Sequence, residues 1–149
     1  MAELDISNFN NPYAKGGAVV ISLLIAVGFY FFRANRANSY KKEARKFLVG
    51  EFEKWGENKK SQLTYLKPFN CNATTAQWLQ YRLIKYKIDK IQVKWYSKHR
   101  RKTYSRTKYY INGFATFVVE NPNGNEETYS MKYSLSPIGN GEWRVFRKE

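Results

Sequence analysis

Cysteine and histidine are almost missing from this chain: its 149 residues hold one of each, Cys71 and His99. A single cysteine excludes an internal disulfide and leaves the redox compartment open. The same pair is too small a ligand set for a structural zinc, and His99 sits inside KHRR, where positive neighbours disfavour a cation. No metal site is expected. Acidic residues are also scarce, 12 against 26 Lys and Arg. Paired carboxylates for acid–base chemistry are correspondingly poor. Glu51 and Glu53 face different ways on a helix, Glu126 and Glu127 fall in a turn, and Asp89 suits turn formation. Cys71 with His99 is the one cysteine–histidine option for nucleophilic catalysis, and nothing local supports it. A glycine-rich phosphate loop is lacking too, since Gly16 and Gly17 lie in an apolar run and Gly139, Asn140 and Gly141 read as a hairpin turn. The expectation is a non-enzymatic protein with no catalytic residues and no cofactor.

Basic residues are almost missing from the first 32 positions. Before Arg33 there is just Lys15, set against Glu3 and Asp5. The remaining 25 Lys and Arg lie from Arg33 onward with 10 acidic residues, leaving that part at about +15 out of a net +14 for the whole chain. Such a charge suits an acidic partner, whether anionic lipid, nucleic acid or an acidic protein face.

The uncharged stretch is the strongest signal. Gly16 to Phe32 reads GGAVVISLLIAVGFYFF, apolar on every face. At 1.5 Å per residue it spans about 25 Å, and Pro12–Ala14 and a snorkelling Arg33 can extend it toward a ~30 Å hydrocarbon core. Tyr13 and Tyr30 suit the interfaces. A cleaved signal peptide would carry its basic residues before the apolar stretch and an A-x-A site after it; here RANRANSYKK follows and no such site is present. The residues predict a tail at 1–15, a transmembrane helix at 16–33, a juxtamembrane basic linker at 34–38 and a soluble domain at 39–149. Arg33, Arg36, Lys41 and Lys42 crowd the C-terminal flank, so the positive-inside rule puts the domain on the cytoplasmic (or stroma- or matrix-equivalent) side and the N-terminus opposite. Ala14, Ala18, Ser22 and Ala26 recur every four residues and form one stripe of small side chains, the pattern that lets helices pack closely in lipid. It predicts a membrane-helix partner, either a copy of this chain or another subunit.

In the soluble part, Ser39 is read as the cap of an amphipathic helix that carries Tyr40, Ala44, Phe47, Leu48, Phe52 and Trp55 on one face and stops at Gly56, possible continuity with the membrane helix left open. Residues 57–73 read as a connector around Pro68. Thr74 or Thr75 caps a second short helix through Trp78, Leu79 and Leu83. Ile84, Tyr86 and Ile88 then alternate, as do Ile91, Val93 and Trp95, with the frame slipping by one near Asp89 and Lys90; that slip predicts a bulge or turn. Residues 107–120 alternate with Tyr109, Ile111, Ala115, Phe117 and Val119 on one face, Asn121 opens a turn, and 127–135 alternate again. Ser136 opens a second turn and Trp143–Phe146 form a last strand. The fold class is α+β: helices first, then a curved antiparallel meander packed on them.

That order, ending in the glycine turn and tryptophan strand GNGEWRVF (139–146), resembles cystatin-like or nuclear-transport-factor-like domains over roughly residues 39–149. With a membrane helix in front, the layout is similar to the bitopic assembly subunits of type IV secretion and conjugation machines. The resemblance implies a non-catalytic scaffold contacting several partners. Its usual placement of the domain outside the cytoplasm is opposite to that implied by the charged flanks.

One run stands out, KWYSKHRRKTYSRTKYY at 94–110, in which Lys94, Lys98, Arg100, Arg101, Lys102, Arg106 and Lys108 interleave with Trp95, Tyr96, Tyr104, Tyr109 and Tyr110. Cations among stacking rings are what a single-stranded nucleic-acid surface uses. The same run also reads as a β-hairpin with a basic tip, its aromatics in the core and its charges solvated, and this is the favoured reading. Two functions follow: a single-pass subunit that assembles a larger membrane complex, or a tethered binder of nucleic acid or anionic lipid through 94–110.

Overall fold

The computed structural model describes residues 12–96 and 108–148, with side chains from residue 16. These divide into two units, one ending at Asn38 and the other running from Ser39. The first helix, α1, spans Pro12–Gly56 and belongs to both. In the first unit it is exposed nearly throughout, and it is long and apolar enough to cross a membrane. Ser39 does not start a helix: α1 continues through it, because RANRANSYKK holds no proline or glycine and several strong helix formers, so nothing frees the backbone for a cap.

The second unit is α+β. A four-stranded antiparallel sheet, in the order β1 (Arg82–Trp95), β2 (Tyr109–Glu120), β3 (Glu126–Gly139) and β4 (Glu142–Lys148), forms a meander. Ala44, Leu48, Phe52 and Trp55 of α1 are buried at helical spacing against the inner face of this sheet. That face presents Ile88, Ile111, Ala115, Phe117, Val119, Met131, Tyr133, Leu135, Trp143 and Val145. The Phe52 ring stacks on Tyr86 at 4.6 Å between centroids and meets Tyr133 edge-on at 6.1 Å. Gly113 allows the closest approach, because a Cβ there would stand 3.0 Å from a Leu48 methyl.

β1 carries two bulges. One leaves Asp89 without a partner, between Ile88↔Ala115 and Lys90↔Phe114, where the frame slips. Asp89 accepts a hydrogen bond from Thr116 Oγ1 at 2.7 Å. The other falls at Ile84 and reverses the expected frame there, so that Leu83 faces the core and Ile84 the solvent. The second helix, α2, is a single turn at Thr75–Trp78. Thr74 caps it in a reciprocal box with Gln77, but the helix stops at Trp78, whose ring is buried against Trp55 and Tyr81. Leu83 lies in β1 instead of in this helix, since pairing with Val119 draws the chain into the sheet. The expected turn at Ser136 is also shorter: β3 runs on to Gly139, and the reversal is made by Gly139, Asn140 and Gly141, all at positive φ. Pro137 fits in the strand because β3 pairs with β2 only as far as Leu135, so its missing N–H removes no bond on that side. The other reversal is as expected, with Asn121 Oδ1 accepting from the N–H groups of Asn123 and Asn125.

A polar tether fastens the connector. Buried Glu51 accepts from Gln62 N at 2.6 Å and pairs with Lys54 at 2.7 Å, and the Ser61 hydroxyl lies against both its carboxylate and its main-chain carbonyl. The Gln62 amide then acts as a strand partner for β4: it donates to Trp143 O at 2.9 Å and accepts from Val145 N at 3.0 Å, closing part of that sheet edge.

Truncating the central ring, Phe52→Ala, is expected to cost about 3–5 kcal/mol, read from the midpoint of denaturant unfolding followed by tryptophan fluorescence. Burial, aided by Tyr40 and Glu43, pushes the Tyr109 hydroxyl from 10.0 up to about 12, and burial raises Tyr129 and Tyr133 as well. Neutral phenols therefore favour the folded state. Their stabilisation is complete below the unfolded value of 10.0 and is lost as pH rises toward about 12 for Tyr109. Melting temperature should hold up to about pH 9 and then fall, and Tyr109→Phe should make that fall shallower.

Candidate functional site

Strand alternation separates two surfaces, and the one turned away from α1 gathers cations and rings from all four strands. Its register reads in rows. Lys94 lies opposite Tyr110. Gln92, Asn112, Ser134 and Phe146 form the next row, and Lys90, Phe114, Lys132 and Lys148 the one after. Arg144, opposite Ser136, completes this half of the face. None of Lys90, Lys94, Lys132, Arg144 and Lys148 has a carboxylate partner among the described residues. The two acid–cation pairs of this face lie toward its other end, Glu120 with Arg82 at 3.2 Å and Asp89 with Lys87 at 3.7 Å, while Asp89 also borders Lys90 and Glu142 shares the outer face of β4 with Arg144.

The rings in the cationic half already hold cations. Lys148 Nζ sits 4.6 Å from the Tyr110 ring centre and 3.4 Å from its hydroxyl, reaching diagonally across the row that holds Asn112 and Ser134. Lys132 Nζ lies 5.8 Å from the Phe114 ring, and Tyr96 packs on Tyr110 at 5.0 Å. Phe146 is 49% exposed. Asp89, Lys90, Phe114, Ser130 and Lys132 line an open depression of about 470 Å³. At the centre of this half, Asn112 is only 3% exposed, yet its Oδ1 has no hydrogen-bond partner among the described residues. An unpaired buried amide oxygen costs on the order of 1–3 kcal/mol, an arrangement that fold stability alone does not call for.

Of the run 94–110, the structure separates the aromatics by alternation. Trp95 and Tyr109 turn inward to Tyr40, which stacks on Tyr109 at 4.0 Å, so these rings are structural. Tyr96 and Tyr110 turn outward with Lys94, while Lys108 is exposed at the start of β2. Lys98, Arg100, Arg101, Lys102 and Arg106 lie outside the described residues. Ala18, Ser22 and Ala26 are exposed on α1, with Ser22 Oγ donating to Ala18 O at 2.9 Å, and the Ala14 side chain lies outside the described set. Arg33, Arg36, Lys41 and Lys42 are exposed on α1, and the Arg36 guanidinium lies over the Phe32 ring at 5.1 Å. Cys71 is buried in the core, and His99 lies outside the described residues. Among the described residues, no three His, Cys, Asp or Glu side chains converge as metal ligands do.

The rest of the cationic face escaped the sequence, because Asn112, Phe114, Lys132, Arg144, Phe146 and Lys148 come together only through strand register. Comparison with protein-family models, with curated proteins and with solved structures gave no match.

Proposed function

We propose that this chain is a non-enzymatic, single-pass membrane subunit whose folded domain is the interaction module of a larger membrane assembly. The observation that carries this reading is the pairing, in one chain, of an apolar helix segment with no buried face and a domain that gathers five cations, without a carboxylate partner among the described residues, on one part of a sheet surface. The helix segment has no protein core to enter, so lipid is its natural solvent. The small-residue stripe at Ala18, Ser22 and Ala26, with Ala14 in sequence, supports packing against a second membrane helix. The Ser22 hydroxyl is satisfied within its own helix, so the stripe can meet a neighbour without an unpaired donor. The basic residues Arg33, Arg36, Lys41 and Lys42 support a cytoplasm-equivalent placement of the domain. The order of membrane helix and α+β domain is similar to that of the assembly subunits of type IV secretion machines, with the domain proposed on the opposite side of the membrane.

Two measurements test the proposal. Carbonate extraction should leave the chain in the membrane pellet, and crosslinking in native membranes should capture it with a helix partner, a capture lost on Ala18→Leu with Ser22→Leu. Release into the soluble fraction, or recovery as a lone monomer, would overturn it. Protease added to sealed vesicles should spare the domain when the cytoplasmic face is enclosed, and digestion there would reverse the proposed orientation.

A further inference from the structure

Resting on the reading of the domain as a binding module, we infer that the cationic half of the outer sheet face is a site for single-stranded nucleic acid. Phosphates pair with Lys90, Lys94, Lys132, Arg144 and Lys148. Bases stack on Tyr110, Phe114 and Phe146, and a base edge meets the Asn112 amide.

Three features of the face select this occupant. First, the cations have no acidic partner of their own among the described residues, so this half of the sheet is a positive field awaiting a polyanion. Second, the rings alternate with those cations in two dimensions: Lys94 beside Tyr110, Phe114 between Lys90 and Lys132, and Phe146 across from Ser134. Rings of this kind on an open four-stranded sheet offer flat platforms to unpaired bases, and every base has a face to stack. Lysines now resting on Tyr110 and Phe114 exchange a weak ring contact for a phosphate and free the ring. Third, Asn112 distinguishes the polyanions. Its amide oxygen is buried, has no partner among the described residues, and requires a hydrogen-bond donor. An acidic protein or an anionic lipid also carries N–H or hydroxyl donors, but neither sets such a donor on the edge of a flat ring that can stack on Tyr110, Phe114 and Phe146. A nucleobase edge presents a donor and an acceptor side by side, which is the complement of an amide. A duplex hides its base faces and cannot stack on the rings. Lys148 spans the row above Asn112, so its recruitment to phosphate uncovers the amide.

The test uses the full chain in zwitterionic nanodiscs and a fluorescent 12-nucleotide single strand, read by anisotropy. Binding should weaken with salt at a log–log slope of about −2 to −4, the value for roughly three to five neutralised phosphates at about −0.7 each. A duplex of the same length should bind at least tenfold more weakly. Phe146→Ala, at an exposed position, should lose roughly tenfold or more in affinity at unchanged salt slope. Lys132→Glu with Lys148→Glu should abolish binding at physiological salt, while Lys85→Glu, on β1 in the acid-bearing half, should leave it within about twofold. Asn112→Leu should weaken binding to mixed-sequence strands without lowering melting temperature. Equal affinity for duplex and single strand, or indifference to Phe146→Ala and to the double lysine variant, would overturn the inference. So would preference for polyglutamate or anionic vesicles over the oligonucleotide. In each of those cases membrane retention and crosslinking of the same preparation stand or fall separately, so a failed site is distinguishable from a failed module.

Discussion

The second unit depends on one packing event: the Ala44–Leu48–Phe52–Trp55 stripe of α1 closing over the inner face of a four-stranded sheet. An isolated meander of this size would leave an apolar face in water, and an isolated helix would leave an apolar stripe. Phe52 joins them, stacked on Tyr86 of β1 and set edge-on to Tyr133 of β3, so one ring meets the strands on either side of β2. Gly113 lets Leu48 reach the middle of β2. The Glu51–Ser61–Gln62 tether then fixes the connector against the β4 edge, using a buried carboxylate whose bonds come from the chain itself.

Because α1, the connector and α2 cover the inner face, the composition of the outer face becomes informative. A merely solvated face would mix charges of both signs. Here both acid–cation pairs lie toward the Arg82 and Lys87 end, while Lys90, Lys94, Lys132, Arg144 and Lys148, with no carboxylate partner among the described residues, gather with the aromatics toward the other. Lysines along β1 also protect an edge strand from pairing with other chains. That protective role does not account for Lys132, Phe114 or Asn112, which lie in the middle of the sheet.

Much of the fold was legible in the chain. Helical spacing of Ala44, Leu48, Phe52 and Trp55 identified the packed stripe, and the slip of alternation at Asp89 located a bulge. What failed was decided by distant partners. Leu83 and Ile84 are both apolar, so periodicity could not choose between them; pairing with Val119 did. The helix after Thr74 stopped early for the same reason. Ser136 and Pro137 look like a turn locally, but β4 pairs with them and β2 does not. Glu51 reads as a surface residue in sequence and is buried by a connector ten residues away. The candidate site was half legible: Lys94, Tyr96, Tyr110 and Lys108 came from one run, while the residues completing the face lie on β3, β4 and the middle of β2.

The proposed function places residues 16–32 in lipid and the sheet face in water. Cysteine accessibility in permeabilised native membranes tests this most directly, using a membrane-impermeant maleimide on Leu24→Cys and Arg144→Cys, with Cys71 buried and silent in both. Rapid labelling at position 144 with protection at position 24, lifted only when the bilayer is dissolved, is the predicted result. Equal labelling of the two positions in intact bilayers would contradict it.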